Sequence, residues 1–296
     1  MTIELIPATK LTVQELADLY NQTRVDYLVP MPMNADRLTE YIHIYDVDLN
    51  LSCVARGREG QVFGLGMLGV RDDSAWITRL GVLPVSRRSG TGAALVSEML
   101  ERADALGLRE THLEVIKNNE PAYRLFLKKG FHDTDIYLVM RRAPRSISSQ
   151  PEGEGCWFGR EEALQILQTY PNHLTWITAL ESMKNAGDVQ GMRVRLPGGI
   201  TGWLVFRLQK FYLSHLIMHT EQGDPSLVGA QLLLHLYSRY PRMDTYAENI
   251  QASDPHLPAF HSHAFFENFS RIEMRRQIGE KNPGKGFQKF LSSSHD

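Results

Sequence analysis

Residues 82–95 read VLPVSRRSGTGAAL: an apolar run ends, Pro84 interrupts it, Arg87 and Arg88 follow, and four small residues open a new apolar stripe. Ala94, Leu95, Val96, Met99, Leu100 and Ala103 recur at helical spacing, so the stretch predicts a strand, a loop and a helix stopped by Gly107. Such a junction is an anion cradle. Gly90 and Gly92 let the backbone come close, the N–H groups of the first helical turn point at the anion, and the helix dipole adds about 0.3–1 kcal/mol. Arg87 and Arg88 supply charge-assisted hydrogen bonds. A second glycine motif, GLGMLG at 64–69, has the GxGxxG spelling of a dinucleotide site. It lies in a strand-like run with no helix behind it, so a Rossmann reading is set aside.

Upstream of the cradle, TIELIP at 2–7 alternates as a strand, residues 11–20 carry a helical stripe, and Asn34 caps a helix reaching Ile44. Runs at 49–56, 61–70 and 74–82 are separated by Gly- and Asp-containing turns and predict an antiparallel meander. Downstream come a strand at 111–117, a short helix at 119–129 ended by Gly130, and a strand at 136–142. This order predicts an α/β (α+β) class with a mixed, mostly antiparallel sheet flanked by helices. APRSISSQPEGEG at 143–155 is nearly devoid of apolar side chains and marks a boundary. The expected organisation is a unit at 1–142, a linker at 143–155, a second α+β unit at 156–278 and a mobile tail at 279–296.

Composition narrows the function classes. Thirty-two Lys and Arg balance 34 Asp and Glu among 296 residues, for a net charge of −2, so no global field draws the chain to nucleic acid or anionic lipid. Only Cys53 and Cys156 are present, too few for a disulfide framework and fitting a reducing cytoplasm. Neither a basic n-region with an apolar core nor an apolar stretch of about 18 residues occurs, which argues against secretion and membrane anchoring.

The strand, the Arg-x-x-Gly-x-Gly of residues 87–92, a second strand, and the Asn-x-x-Ala-x-x-Leu-Phe-x-x-x-Gly-Phe of residues 119–131 together resemble the GNAT acetyltransferase superfamily. The resemblance covers 1–142 in element order. Through LEVIKNNEPAYRLFLKKGF at 113–131 it is nearest the branch that acetylates protein N-termini. It implies acetyl-CoA as donor, no metal, and a pyrophosphate held by Arg87, Arg88, Ser89, Gly90, Thr91, Gly92 and Ala93. It implies a pantetheine arm paired with the backbone of Leu80, Gly81 and Val82, where two central strands splay apart, with a backbone N–H at Val82 facing the oxyanion. Asn119 would hold the arm, Ala122 would leave it room, and Phe126 would lie near the thioester sulfur.

Direct transfer needs a base for the acceptor amine, and Glu114 stands at the family's base position, alternating onto one strand face with His112 and Ile116. The acid position departs from the pattern. Phe126 replaces the usual Tyr and donates no proton, which leaves Tyr123, one turn earlier, as the candidate substitute. The expected function is an N-acetyltransferase acting on a primary amine of a small molecule or peptide; the alternatives are a non-catalytic acyl-CoA binder or a transferase of a longer acyl group. Tyr20, Tyr27, Met31 and Met33 fall where the family shapes its acceptor pocket.

A shift of 134 residues lays 109–142 over 243–276 with nine of 34 positions identical, among them Glu114/Glu248, Phe126/Phe260, Met140/Met274 and Arg142/Arg276. The second half thus reads as a degenerate GNAT-like copy, the alternative being an unrelated α+β domain with a coincidental Met-Arg-Arg. At that offset Arg87, Gly90 and Gly92 become Glu221, Asp224 and Ser226, and carboxylates facing a pyrophosphate repel it, so only the first half is expected to hold the cofactor. His256, His261 and His263 sit on a helical segment without metal-ligand spacing. The second half is expected to pack on the first, in a monomer or homodimer.

Overall fold

A computed structural model of the chain describes residues 3–29, 31–147 and 149–277. The tail expected at 279–296 lies outside the described residues. The expected strands and helices form, in the expected order: β1 (Ile3–Pro7), α1 (Val13–Gln22), α2 (Ala35–Ile44), β2 (Val47–Gly57), β3 (Val62–Arg71), β4 (Ser74–Val82), α3 (Thr91–Ala105), β5 (Glu110–Ile116), α4 (Glu120–Lys128) and β6 (His132–Arg142). The second half repeats that order with β7 (Glu154–Phe158), α5 (Arg160–Gln168), α6 (Leu180–Ala186), β8 (Val189–Leu196), β9 (Ile200–Leu208), β10 (Tyr212–Gln222), α7 (Pro225–Arg239), β11 (Asp244–Gln251), α8 (Leu257–Ser262) and β12 (Phe266–Gln277). The 134-residue offset relates the first residues of α3 and α7, of β5 and β11, and of β6 and β12.

Local chemistry sets the helix ends. Thr12 and Glu15 close a capping box on α1, Asn34 accepts from the Arg37 N–H at the start of α2, and Asn119 caps α4. The decoy glycines are packing residues of β3. A Cβ on Gly66 would stand 2.5 Å from Met99, and one on Gly69 would stand 2.9 Å from Trp176.

Among the described residues twelve strands make one sheet, in the order β1-β2-β3-β4-β5-β12-β6-β11-β10-β9-β8-β7. Only β4–β5 and β10–β11 are parallel. The two halves trade their last strands: β12 pairs with β5 of the first half, and β6 pairs with β11 of the second. The segment expected as a linker at 143–155 runs into β7 at Glu154, and the sheet continues from one half to the other.

The strands bury both faces. Cys53 and Ala55 face α3, while Val54 between them faces α1 and α2; Leu204 and Phe206 face α7 and α8, while Trp203 and Val205 face α5 and α6. The exchange carries core residues across. Met274 of β12 is fully buried against α3 and Val115, and its counterpart Met140 of β6 is fully buried in the core under α7. Trp176, in the α5–α6 loop, reaches the first half, stacking on Trp76 at 5.7 Å and donating to the Tyr45 carbonyl at 2.9 Å.

Because each half completes the other's core, the chain should unfold as one unit. Met274→Ala empties a fully buried site and is expected to cost about 2–5 kcal/mol. Urea melts followed by far-ultraviolet circular dichroism and by tryptophan fluorescence should shift together; separate transitions would show that the halves are independent.

Candidate functional site

β4 and β5 pair only where Ser74–Ile77 meets Glu110–Leu113. Beyond Ile77 they diverge, at a register shift between Leu65 and Met67 of β3 and at Arg79, whose φ of 48° is unusual for a non-glycine residue. A cavity of about 220 Å³ fills the gap. Its walls are Thr78, Arg79 and Leu80 of β4, residues 113–116 of β5, and Asn119, Ala122 and Phe126 of α4. The α1–α2 loop adds Arg24, Tyr27 and Met31, and the second half adds Ile177, Glu248 and Arg271.

At the mouth end of β4 the chain turns through Arg87 and Arg88 into α3. Gly90, at φ 91°, is the N-cap, and no side chain caps the helix, so the N–H groups of its first turn stay available to a ligand. Arg88 is exposed. Arg87 is held by Asp26 through two 2.6 Å contacts and by the Thr23 carbonyl at 3.1 Å; this exposed ion pair is weak enough for an anion to compete with it. The matching helix α7 differs. Asp224 accepts from the Leu227 N–H at 3.1 Å, and Pro225 has no N–H to offer. The corresponding gap beside β10 is filled by the α5–α6 loop, leaving a cavity of about 50 Å³ lined by Thr175, Thr178 and Asn249 among others.

At the inner end of the large cavity, two carboxylates share one guanidinium. Arg271 of β12 donates to Glu248 at 2.9 Å and to Glu114 at 3.3 Å. Glu114 also accepts from Asn249 at 2.7 Å. Burial raises the Glu114 carboxyl above its ordinary value, a shift that Arg271 and Asn249 do not overcome. Glu248 lies below its ordinary value: burial pushes it up, but Arg271 at closer range outweighs that. The two acids are thus driven apart, and Glu114 is the one more readily protonated.

The structure brings five of the sequence-nominated donor and base residues into the wall of this gap. Leu80, Asn119, Ala122, Phe126 and Glu114 line the cavity, and Gly81 and Val82 continue β4 towards the α3 N-terminus. Asn119 donates to the Tyr27 hydroxyl at 3.1 Å. Tyr123 is a correction. Its hydroxyl donates to Asp133 at 2.9 Å, burial and that carboxylate push its pKa up to about 12, and it does not line the cavity. His112 packs against Trp176 at 5.2 Å with Glu273 as its nearest carboxylate, so it forms no relay to Glu114. Tyr27 and Met31 reach the cavity, whereas Tyr20 is buried behind Arg79 and the Met33 backbone N–H donates to Asn21. Sequence reasoning missed Arg79, Tyr41, Glu248 and Arg271. The Glu114/Glu248 identity in the repeat was a signal for one of them.

Residues 14–131 match the acetyltransferase (GNAT) family. That stretch is similar to a GNAT domain. A mycothiol acetyltransferase of Clavibacter michiganensis subsp. michiganensis is 34% identical over 96 residues; that stretch is 32% of this chain and only 31% of that relative's length. Two solved structures share the fold over nearly the whole chain. A GCN5-related N-acetyltransferase from Sphaerobacter thermophilus superposes with TM-score 0.71 at 14% identity, covering 96% of this chain and 98% of its own. A tandem GNAT protein from the clavulanic acid biosynthesis pathway gives 0.65 at 15% identity, covering 95% of this chain and all of its own. The second half is accordingly GNAT-like in fold, with its helix N-terminus closed and its gap filled.

The shared guanidinium makes a stability prediction. Arg271→Met leaves the nearly buried Glu114 and the partly exposed Glu248 without their cation and is expected to cost up to about 3–5 kcal/mol. Both acids then hold protons more tightly folded than unfolded, so the loss grows as pH rises above the ordinary carboxylate range. Denaturation of both proteins at pH 5 and pH 8 tests this; an equal deficit at the two pH values would count against it.

Proposed function

We propose that the chain is an N-acetyltransferase that passes an acetyl group from acetyl-CoA to a primary amine, with Glu114 as the base. One arrangement carries the reading: an uncapped N-terminus of α3, an edge of β4 left unpaired by β5 beyond Ile77, and a cavity beside that edge lined by Glu114 of β5. Acetyl-CoA supplies an activated thioester and needs a phosphate cradle, a strand edge and a narrow channel. The chain offers each. Arg87, Arg88, Ser89, Gly90, Thr91, Gly92 and Ala93 hold the pyrophosphate, the Leu80–Gly81–Val82 backbone holds the arm, and Asn119, Ala122 and Phe126 flank it.

The chemistry asked of the protein is modest. Glu114 takes the amine proton directly or through one water, and its raised pKa moves it towards the basicity a general base needs. Glu248, the more firmly ionised neighbour, and Arg271 hold its orientation. Phe126 offers the leaving sulfur no proton, so the thiolate departs without an acid from α4; general acid catalysis is worth only about 10²–10⁴-fold, and its loss slows turnover rather than abolishing it. The second half supplies Glu248 and Arg271 and binds no cofactor, because Asp224 already occupies the α7 N-terminus.

Calorimetry should find one acetyl-CoA per chain, and Gly92→Glu, which adds a carboxylate to the cradle, should weaken it at least tenfold; two molecules per chain, or an unchanged affinity, would overturn the assignment. Glu114→Gln should lower acceptor-dependent CoA release by about 10²–10⁴-fold. In the native protein the acid limb of kcat/KM should lie above the ordinary glutamate value of 4.5, since the protonated carboxyl accepts nothing. A limb at or below it would remove Glu114 as base, and tight acetyl-CoA binding with no release to any amine would mark a binder instead.

A further inference from the structure

Among the described residues, the shortest hydrogen bond to the Glu114 carboxylate comes from the second half, and from an amide. Asn249 Nδ2 donates to Glu114 Oε1 at 2.7 Å. Arg271 Nη1 reaches Glu114 Oε2 only at 3.3 Å, and its Nη2 is committed to Glu248 at 2.9 Å. The amide is itself held on both sides: Oδ1 accepts from Arg271 Nη1 at 2.9 Å, and Nδ2 donates also to Thr175 Oγ1 at 3.2 Å. A guanidinium only donates and a carboxylate only accepts, so the amide has one workable orientation. Thr175 is braced in turn by Thr178, hydroxyl to hydroxyl at 3.0 Å. The loop that fills the second gap thus backs a contact to the first.

The backbone of β11 is bent to bring that amide there. By the 134-residue offset Asn249 stands where β5 carries Val115, a core residue packed under α3. In a regular strand alternate residues share a face, yet Ala247 and Ile250, three apart, both lie in the core under α7. The two residues between them, Glu248 and Asn249, therefore turn together to the opposite face, where both meet Arg271. The pairing of β11 with β6 breaks register at this point, and Asn249 has a left-handed φ of 56°. Asn is one of the few residues other than glycine that adopt it readily, and bulges of this kind re-aim a side chain beside a site.

We infer that Asn249 is the positioning residue of Glu114: its amide, locked between Arg271 and Thr175, fixes the direction in which the carboxylate is presented and favours its charged form. The catalytic consequence rests on the reading of Glu114 as base; the contact itself does not. The other charged and titratable groups around the carboxylate are Arg271 and Glu273 of β12, Glu248 of β11, Tyr137 of β6, His112 of its own strand, and Arg79 and Tyr41 across the cavity. Arg271 is shared with Glu248, and Glu273 is engaged by Arg275 and Thr134. The Asn249 bond is the one that Glu114 shares with no other carboxylate. A hydrogen bond to the charged form lowers a carboxyl's pKa, so removing it lifts Glu114 further above its ordinary value.

The test follows the Glu114 carboxyl itself. In protein isotope-labelled at the glutamate side-chain carboxyls, its nuclear magnetic resonance signal is the one missing from Glu114→Gln. Asn249→Gly keeps the left-handed backbone and removes the amide; the Glu114 titration midpoint should rise by about one pH unit, as loss of one charge-assisted hydrogen bond allows. Asn249→Asp, of the same shape, sets a carboxylate against Glu114 and should raise the midpoint further. CoA release from acetyl-CoA is then followed with whichever of spermidine, tyramine, glucosamine and an alanyl peptide the native protein acetylates fastest. In Asn249→Gly the acid limb of kcat/KM should rise with the midpoint, costing about tenfold below the limb, while the KM for acetyl-CoA stays unchanged; a purely structural defect would lower the rate equally at every pH. An unchanged titration in both variants overturns the inference. A raised midpoint with an unmoved limb sustains the positioning of Glu114 while overturning its role as base. Where none of the four amines reacts, the carboxyl titration alone decides, and if Asn249→Gly does not fold, Asn249→Asp decides.

Discussion

The structure depends on the pairing of β5 with β12 and of β6 with β11. A sheet whose central strands come from opposite ends of the chain cannot come apart into its halves without breaking three ladders, β5–β12, β12–β6 and β6–β11, and emptying the Met140 and Met274 sites. The same pairing brings Arg271 beside Glu114. Their backbones are not opposite each other, since Arg271 pairs with Ile116 and Glu114 with Glu273, yet the side chains meet at the end of the gap. The strand that completes the first core therefore also tunes the carboxylate at the end of the gap.

Around that frame, two related halves have reached different ends by small local changes. Both carry the edge-to-face phenylalanine pair at the end of the short helix, Phe126–Phe131 and Phe260–Phe265. What separates them is chemistry at one helix N-terminus and the filling of one gap. Gly90 leaves α3 uncapped, and Asp224 closes α7 with its own carboxylate. The α5–α6 loop puts Thr175 and Thr178 over the second gap and sends Trp176 into the first half's core. The second half shares the architecture of the first and lends it Ile177, Glu248 and Arg271 at the cavity wall.

Much of this was legible in the sequence because it is local. Strand alternation, the 3.6-residue stripe of α3 and the caps of α1, α2 and α4 are short-range signals, and the cradle is a run of seven residues. The repeat also exposed the charge reversal at residues 221 and 224. The sequence did not disclose the strand exchange, since a boundary at 143–155 is compatible with any pairing of the strands that flank it. Tyr123 was nominated by helical spacing from Phe126, but that spacing does not fix which side of a short amphipathic helix faces the gap; Asp133 on the next strand holds its hydroxyl elsewhere. Arg79 was invisible for a different reason. It sits in an alternating strand where a lone arginine reads as solvated, and only a kink at that residue brings it into the cavity.

The strand exchange also orders events in time. During synthesis the ribosome delivers residues 3–142 complete, with every residue nominated to hold the donor, but β5 has then no β12 beside it and Glu114 has no Arg271. The gap reaches its final electrostatic state only when β12 has emerged and inserted. A ribosome that stalls or terminates anywhere in the second half releases a first half whose β5 has an unpaired edge, so Glu114 meets Arg271 only once the last described strand is made.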